Sequence, residues 1–249
     1  MSQSSVKHYD NIVVGSGASG LSLAQLLALS GKKVLLIEKG WYLGGSLTRF
    51  KRKGIPFDTG FHFTGGFTDG GVLDEMLGAL GIRNDIEPIF LDDPRSNRYV
   101  FEGDGKAYDF PRGVEAFKAS LKGYFPNETQ GIDRYFEMSE RCYRETPSLD
   151  LRRITDTPNV LEEDYNTLAS VLDELFQSKH IKGVLSTYCM CYGVKPSEVS
   201  FANHARVAYG LYEAVARVKG GGDAFVNAFA KAFESLDVDI RLRTYITSC

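Results

Sequence analysis

Three short clusters in this chain carry residue types that could do chemistry, and the first is Gly15-Ser-Gly17-Ala18-Ser19-Gly20. It follows the apolar run Ile12-Val13-Val14, which reads as a strand buried on both faces. It precedes Leu21, Leu23, Ala24, Leu26, Leu27, Ala28 and Leu29, a helix with a wide apolar face that Gly31 is placed to end. Glycine at 15 permits a tight turn, glycine at 17 leaves the backbone open to a close-lying ligand, and glycine at 20 lets helix and strand approach. The free N–H groups of the first helical turn, at Ala18, Ser19 and Gly20, and the positive end of the helix dipole suit a pair of phosphates. A second buried strand, Lys33 to Ile37, then ends in Glu38-Lys39. A carboxylate at that distance accepts from a ribose hydroxyl and disfavours a 2′-phosphate, which turns a common glycine loop into a dinucleotide fingerprint.

The second cluster is Gly44-Gly45 with Thr48. A glycine pair alone is a loop; just beyond a nucleotide turn it also allows a second backbone approach to a long cofactor, with Thr48 as hydroxyl donor. The third is Phe57-Asp58-Thr59-Gly60-Phe61-His62. Its alternation predicts a strand over 55–64 with Asp58, Gly60, His62 and Thr64 on one face. Gly60 leaves a notch between a carboxylate and an imidazole that suits a flat ring or another backbone, and His62 is either a hydrogen-bonding group or a proton carrier. Between these clusters Arg49, Lys51, Arg52 and Lys53 read as a solvated hairpin before Gly54, or as a contact for phosphates or an anionic membrane surface.

The elements that must hold these clusters follow from composition and periodicity. A chain of 249 residues that is 43% hydrophobic and 24% charged is an ordinary globular sequence. Its net charge of −3 offers no field for nucleic acid, and no apolar run is long enough to cross a bilayer. The N-terminus lacks the apolar core of a signal peptide, so a cytoplasmic location is the default. Cys142, Cys189, Cys191 and Cys249 fit neither a disulfide framework nor a paired metal motif, and no metal site is expected. From Gly65 the pattern changes to short helices, around Leu73–Leu80, Val114–Tyr124, Ile132–Met138 and Leu168–Leu175, with a hairpin over 98–110. Residues 145–164 read as an irregular surface excursion. Ile181 to Gly193 is apolar nearly all round, as core or as the wall of a tunnel for a lipid-like substrate. Lys219-Gly220-Gly221-Gly222 then opens a helix followed by a strand over 239–246, which restores βα alternation.

The fold class expected is α/β: a Rossmann-like FAD/NAD(P)-binding domain with an inserted α+β substrate domain, incomplete at its C-terminal side. The segments are 1–70 and 216–249 for the nucleotide domain and 71–215 for the substrate or cap domain.

With these residues in place, the chain resembles the amine-oxidase-like FAD flavoproteins, in the branch of phytoene desaturases, carotenoid isomerases and retinol saturase. The likeness rests on the first glycine cluster with Glu38, on Leu43-Gly-Gly-Ser-Leu-Thr48, and most narrowly on Phe57-Asp-Thr-Gly-Phe-His62. It extends more weakly to Phe125-Pro-Asn-Glu128, Tyr192-Gly-Val-Lys-Pro-Ser-Glu198 and Lys219-Gly-Gly-Gly222. It covers nearly the whole chain but about the first half of a family member. The resemblance implies that Gly15, Gly17 and Gly20, with Ala18 and Ser19, receive the FAD pyrophosphate, and that Glu38, beside Lys39, receives the adenosine ribose. It sets Gly44, Gly45 and Thr48 on the flavin side of the phosphates, and Asp58, Gly60 and His62 near the isoalloxazine, with His62 and Asp58 as the catalytic candidates. The activity implied is flavin redox chemistry on the double bonds of a hydrophobic polyene, with NAD(P) as a potential electron donor or acceptor. An amine or other small-molecule flavin oxidase, and a truncated nucleotide-binding module without catalysis, are the alternatives. Peripheral membrane association is compatible with the basic cluster, and the oligomeric state is unspecified.

Overall fold

The computed structural model describes residues 7–91, 95–145 and 160–247, so Cys249 and most of the expected excursion, 146–159, lie outside the described residues. The first half of the chain forms β1 (Asn11–Val14), α1 (Ala18–Leu29), β2 (Val34–Ile37), β3 (Arg49–Arg52), β4 (Ile55–Asp58), α2 (Val72–Ala79), β5 (Pro88–Phe90), β6 (Asn97–Phe101), β7 (Lys106–Phe110) and α3 (Val114–Tyr124). The second half adds α4 (Thr129–Arg144), α5 (Leu168–Leu175), α6 (Lys179–Ser186), α7 (Phe201–Glu213), β8 (Ala216–Val218), α8 (Gly222–Ser235) and β9 (Asp239–Arg241). These elements group into two compact units: residues 1–63, 76–89 and 217–249 make one, residues 64–75 and 90–216 the other.

The first unit is built on a parallel sheet in the order β1-β2-β9, with Val13 opposite Leu36 and Leu36 opposite Ile240. All four residues of β2, Val-Leu-Leu-Ile, are buried, as a central strand covered on both faces requires. Strand β1 departs from expectation. It is an edge of this sheet, and while Val13 is buried, Ile12 and Val14 are 58% and 63% exposed. The wide apolar face of α1 is also narrower than its sequence suggests: Leu21, Ala24 and Ala28 are buried, whereas Leu23, Leu26 and Leu29 are about half exposed. Buried Gln25 is satisfied by donating its amide to the Leu80 carbonyl at 2.9 Å. The expected strand over 239–246 stops at Arg241. Arg243 takes a positive φ of 51°, and the chain then donates from Arg243 N to Gly40 O and from Thr244 N to Glu38 O, both at 3.0 Å.

Strands β3 and β4 pair antiparallel, with Phe50 opposite Phe57 and Arg52 opposite Ile55. Lys53 and Gly54 both have positive φ, 48° and 80°, as a two-residue hairpin turn of the primed type demands. A hairpin does form at the basic cluster. The longer strand predicted over 55–64 does not: β4 ends at Asp58, and the chain bends at Thr59 and Gly60. Faces assigned beyond Asp58 by alternation therefore do not apply.

The second unit is helical, with the β6–β7 hairpin, expected over 98–110, pairing Tyr99 with Tyr108. Its core is aromatic. Phe110 stacks on Phe117 at 4.3 Å between centroids, Phe117 lies 4.9 Å from Tyr212, and Tyr135 meets Phe201 edge-on at 5.5 Å. Helix α7 runs through this core with nine buried residues, among them Phe201, His204, Tyr209 and Tyr212. Sequence reading missed it. The segment 181–193 is also less uniform than its composition implies: Ile181, Val184, Leu185 and Tyr188 are buried, but a 3-10 turn over Thr187–Cys191 turns Met190 and Cys191 outward. Among the described residues no helix is long and apolar enough to cross a membrane and no group of metal-ligating side chains forms.

Candidate functional site

The first unit gathers the three glycine clusters into one place. Gly15 has a φ of 94°, which glycine adopts without strain, and its N–H bonds the Ile37 carbonyl at 2.7 Å, tying the turn to the end of β2. A Cβ on Gly20 would strike the Gly15 carbonyl, so only glycine lets α1 begin this close to the turn. At Gly17 the reverse holds: no atom lies within 4 Å of where a Cβ would stand. Gly17 is the N-cap of α1 and no side chain caps that end, which leaves the N–H groups of Ala18, Ser19 and Gly20 pointing out of the first turn. Gly15 is required by its left-handed backbone, Gly20 by close packing, and Gly17 by neither, which leaves it for an open approach.

Gly44 and Gly45 dock against this turn. Gly44 N donates to Ser16 O at 2.8 Å, and a Cβ on Gly45 would come within 3.1 Å of Gly17 Cα. Both have positive φ, 116° and 53°. Thr48 donates its hydroxyl to Gly45 O at 2.7 Å, so it braces its own loop as it lines the adjacent cleft. Gly60 resolves the notch expected beside it: the close neighbour is another backbone, the Ser46 carbonyl, 3.1 Å from a would-be Cβ. Glycine–backbone contacts thus link the loops at 15–20, 44–48 and 59–60.

Glu38 sits at the end of β2 as predicted, but its partners were not foreseen. Its Oε2 accepts from the Ser16 hydroxyl at 2.6 Å and from Ser16 N at 2.8 Å, and its Oε1 accepts from Gly40 N at 2.6 Å. The Ser16 hydroxyl, then the backbone donors, hold this carboxyl below the ordinary carboxylate range against the opposing effect of burial. Of about four lone-pair positions on a carboxylate, three are filled here, which leaves capacity for one further donor. Lys39 is exposed beside it. Glu38, Gly45 and Thr48 line a cleft of about 850 Å³ together with Trp41, Tyr42 and Asp223. The Arg243 guanidinium stacks 4.6 Å from the Trp41 ring.

Asp58 and His62 are not alike. The Asp58 side chain is only 4% exposed and is engaged on both oxygens, by Arg49 Nε at 3.0 Å and by Arg217 at 2.9 Å, with Gly222 N at 3.4 Å. It clips β4 to β3, to β8 and to the first residue of α8. His62 is exposed in the loop 59–63, next to Phe61, whose ring meets Phe225 of α8 edge-on at 5.0 Å. Alternation predicted a shared face for the two; the bend after Asp58 separates a buried ion pair from an open imidazole.

Ser16, Ser46 and Arg217 were given no role from the sequence, Arg49 was read only as one of the basic hairpin cluster, and Asp223 only as part of a helix start. Ser16 alone carried a signal, a hydroxyl at the first variable position of the glycine motif, 22 residues before its acceptor.

This geometry agrees with known proteins. Residues 13–80 match the NAD(P)-binding Rossmann-like domain family. An all-trans-retinol 13,14-reductase from Homo sapiens is 30% identical over 213 residues, 79% of this chain and 35% of that protein. Prolycopene isomerase 2 of an Oncidium hybrid cultivar is 33% identical over 150 residues, 60% of this chain and 25% of that protein. Among solved structures, cyclohexylamine oxidase from Brevibacterium oxydans superposes with a TM-score of 0.62 at 21% identity, over 95% of this chain and 51% of that one, a likeness of fold. The chain spans roughly a third of the length of the curated relatives it matches. Over that span the chain is similar to all-trans-retinol 13,14-reductases and prolycopene isomerases, and it is built on a Rossmann-like α/β fold.

Proposed function

We propose that this chain supplies the FAD-binding portion, and part of the substrate-handling portion, of an oxidoreductase that acts on carbon–carbon double bonds of a hydrophobic polyene, a carotenoid or retinoid. The observation that carries the cofactor reading is the asymmetry of the first glycine cluster: space at Gly17 beside the uncapped start of α1, with Gly15 and Gly20 locked against one another. Gly15, Gly17, Ala18, Ser19 and Gly20 would hold the pyrophosphate, Glu38 with its remaining acceptor position the adenosine ribose, and Gly44, Gly45 and Thr48 the phosphates from the flavin side. Flavin, when bound, supplies hydride chemistry that no side chain here can provide. The polyene reading comes from the relatives, whose names specify retinol and prolycopene.

In this reading His62 is the catalytic residue, exposed and able to hold or move a proton, with Gly60 holding its loop against Ser46. Asp58 is a positioning residue that acts through Arg49 and Arg217. NAD(P) is an exchangeable electron donor or acceptor. The test is an absorption spectrum of the protein with FAD, before and after a polyene is added anaerobically. Flavin bands that bleach or shift with polyene are expected. A protein that stays colourless after incubation with FAD, or one that oxidises amines with peroxide release and ignores polyenes, overturns the reading. His62→Ala is expected to keep bound flavin and lose turnover per flavin; loss of flavin with normal turnover per flavin reverses that assignment.

A further inference from the structure

The β3–β4 hairpin has an outward face that the nucleotide site does not use. Residues alternate across it, so Phe50, Phe57, Arg52 and Ile55 share one side, while Arg49 and Asp58 form the buried ion pair on the other. Phe50 and Phe57 stack at 5.5 Å and are 47% and 45% exposed, and Ile55 is 60% exposed. Arg52 and Lys53 stand at the turn, both exposed, and neither has an acidic partner among the described residues. In a chain of net charge −3, this is a local cationic edge beside a flat apolar surface.

We infer that this hairpin lies face-down on an anionic lipid surface, with Phe50, Phe57 and Ile55 at the boundary of the acyl region and Arg52 and Lys53 among the headgroups. The charge pattern selects this occupant. An acidic protein partner would have to present carboxylates in register with a two-residue turn. A bilayer presents anions over its whole surface above an apolar layer, so cations and rings on one face are satisfied together without register. Long basic side chains extend to the headgroups while their stems stay on the apolar side. The proposal stands apart from the flavin reading, since Phe50, Arg52, Lys53, Ile55 and Phe57 do not line the cleft formed by Glu38, Gly45 and Thr48.

Flotation with vesicles of phosphatidylcholine alone or mixed with phosphatidylserine tests it on the chain without added flavin. Binding to the mixed vesicles only, weakening as salt is raised, is expected. R52E/K53E should reduce the partition coefficient at least about 25-fold, at roughly five-fold for each cation removed. F50S/F57S should reduce it roughly ten-fold or more through lost apolar burial. K32E/K195E, with the same net charge change away from the hairpin, should bind as the parent does. Circular dichroism of each variant separates loss of binding from loss of fold, and these side chains are exposed enough to leave the fold intact. Equal binding to both vesicle types, full binding by R52E/K53E, or equal loss in K32E/K195E overturns the proposal. So does protection of the hairpin by inorganic phosphate in a protein that ignores vesicles, which would assign the cations to a soluble anion.

Discussion

In the first unit the decisive positions are those where a side chain is missing: a methyl group at Gly20 would meet the Gly15 carbonyl, and one at Gly222 would meet the Leu47 carbonyl. In the second unit the decisive positions hold some of the largest side chains in the chain, Tyr135, Tyr212, Phe117 and Phe201, all essentially without exposure. The first unit fixes backbone against backbone so that N–H groups face outward. The second fills a volume. A unit of the first kind tolerates little addition, and one of the second kind tolerates little removal or charging.

The largest expected effects test the first half of that contrast. Gly20→Ala should destabilise the protein by about 3 kcal/mol or more, because the clash is with backbone that cannot rotate away. Gly17→Ala has a φ of −67° and open space around the new methyl, so it should lose no more than about 1 kcal/mol, the ordinary difference between glycine and alanine at an N-cap. Retention of added FAD should nevertheless fall. Thermal unfolding and flavin absorbance measured on both variants separate the roles; equal stability losses would show that the turn has one function, packing, at both positions.

The second half of the contrast predicts a pH dependence. His204 in α7 is fully buried, with Nδ1 2.6 Å from the Tyr192 hydroxyl, and burial pushes its pKa down to about 4 from 6.5. Below 6.5 the unfolded chain takes up a proton that the folded chain refuses, so stability is full above 6.5 and declines as pH falls toward 4. The loss is roughly 3 kcal/mol across that window. Glu38 in the first unit behaves differently: its carboxyl is lowered, so its contribution is intact above the ordinary carboxylate range and is lost only in more acid solution. Urea unfolding at pH 7, 5.5 and 4.5 on the parent and on His204→Gln checks this, each pH being chosen to bracket the shift. A parent with flat stability over this range, or a variant with the same slope as the parent, contradicts it.

The same difference explains what could be read from the sequence. Gly15, Gly17, Gly20 and Glu38 lie within one βαβ unit, so the strand–turn–helix geometry that they form was legible. Helix α7 was not. Phe201 to Glu213 is buried on nearly every side and carries Asn203, His204 and Gly210 inside the run, which removes the one-sided apolar period that marks a surface helix. Asp58 was found as a residue but misjudged in its setting, because its partners Arg217 and Gly222 stand about 160 positions later in the chain. Strand β1 read as central because Ile12-Val13-Val14 is uniformly apolar, a pattern that cannot distinguish a covered strand from an edge.

Helix starts give the finest version of the comparison. In the second unit α3 and α4 start without a side-chain cap, whereas the N-termini of α5, α6 and α7 are each closed by a hydroxyl, from Thr167, Ser178 and Ser200, that accepts a backbone N–H; for Ser200 the donor is Asn203 N at 3.2 Å. At α1 the corresponding residue is Gly17, and no side chain takes that place. A cap replaced by alanine forfeits one hydrogen bond and the local bend that made it, so Ser200→Ala should cost about 1 kcal/mol, and Ser200→Gly only a few tenths. Placing a cap at α1 should do the opposite to the fold. Gly17→Ser gains a local acceptor for the first-turn N–H groups and raises stability slightly, yet it engages the donors that phosphates would need. Denaturant midpoints for Ser200→Ala and Gly17→Ser, with FAD titration of the latter, measure whether the open start of α1 is a weakness in the fold or the condition for its ligand. A stabilised Gly17→Ser that still binds FAD as the parent does would remove the distinction between the two kinds of helix start.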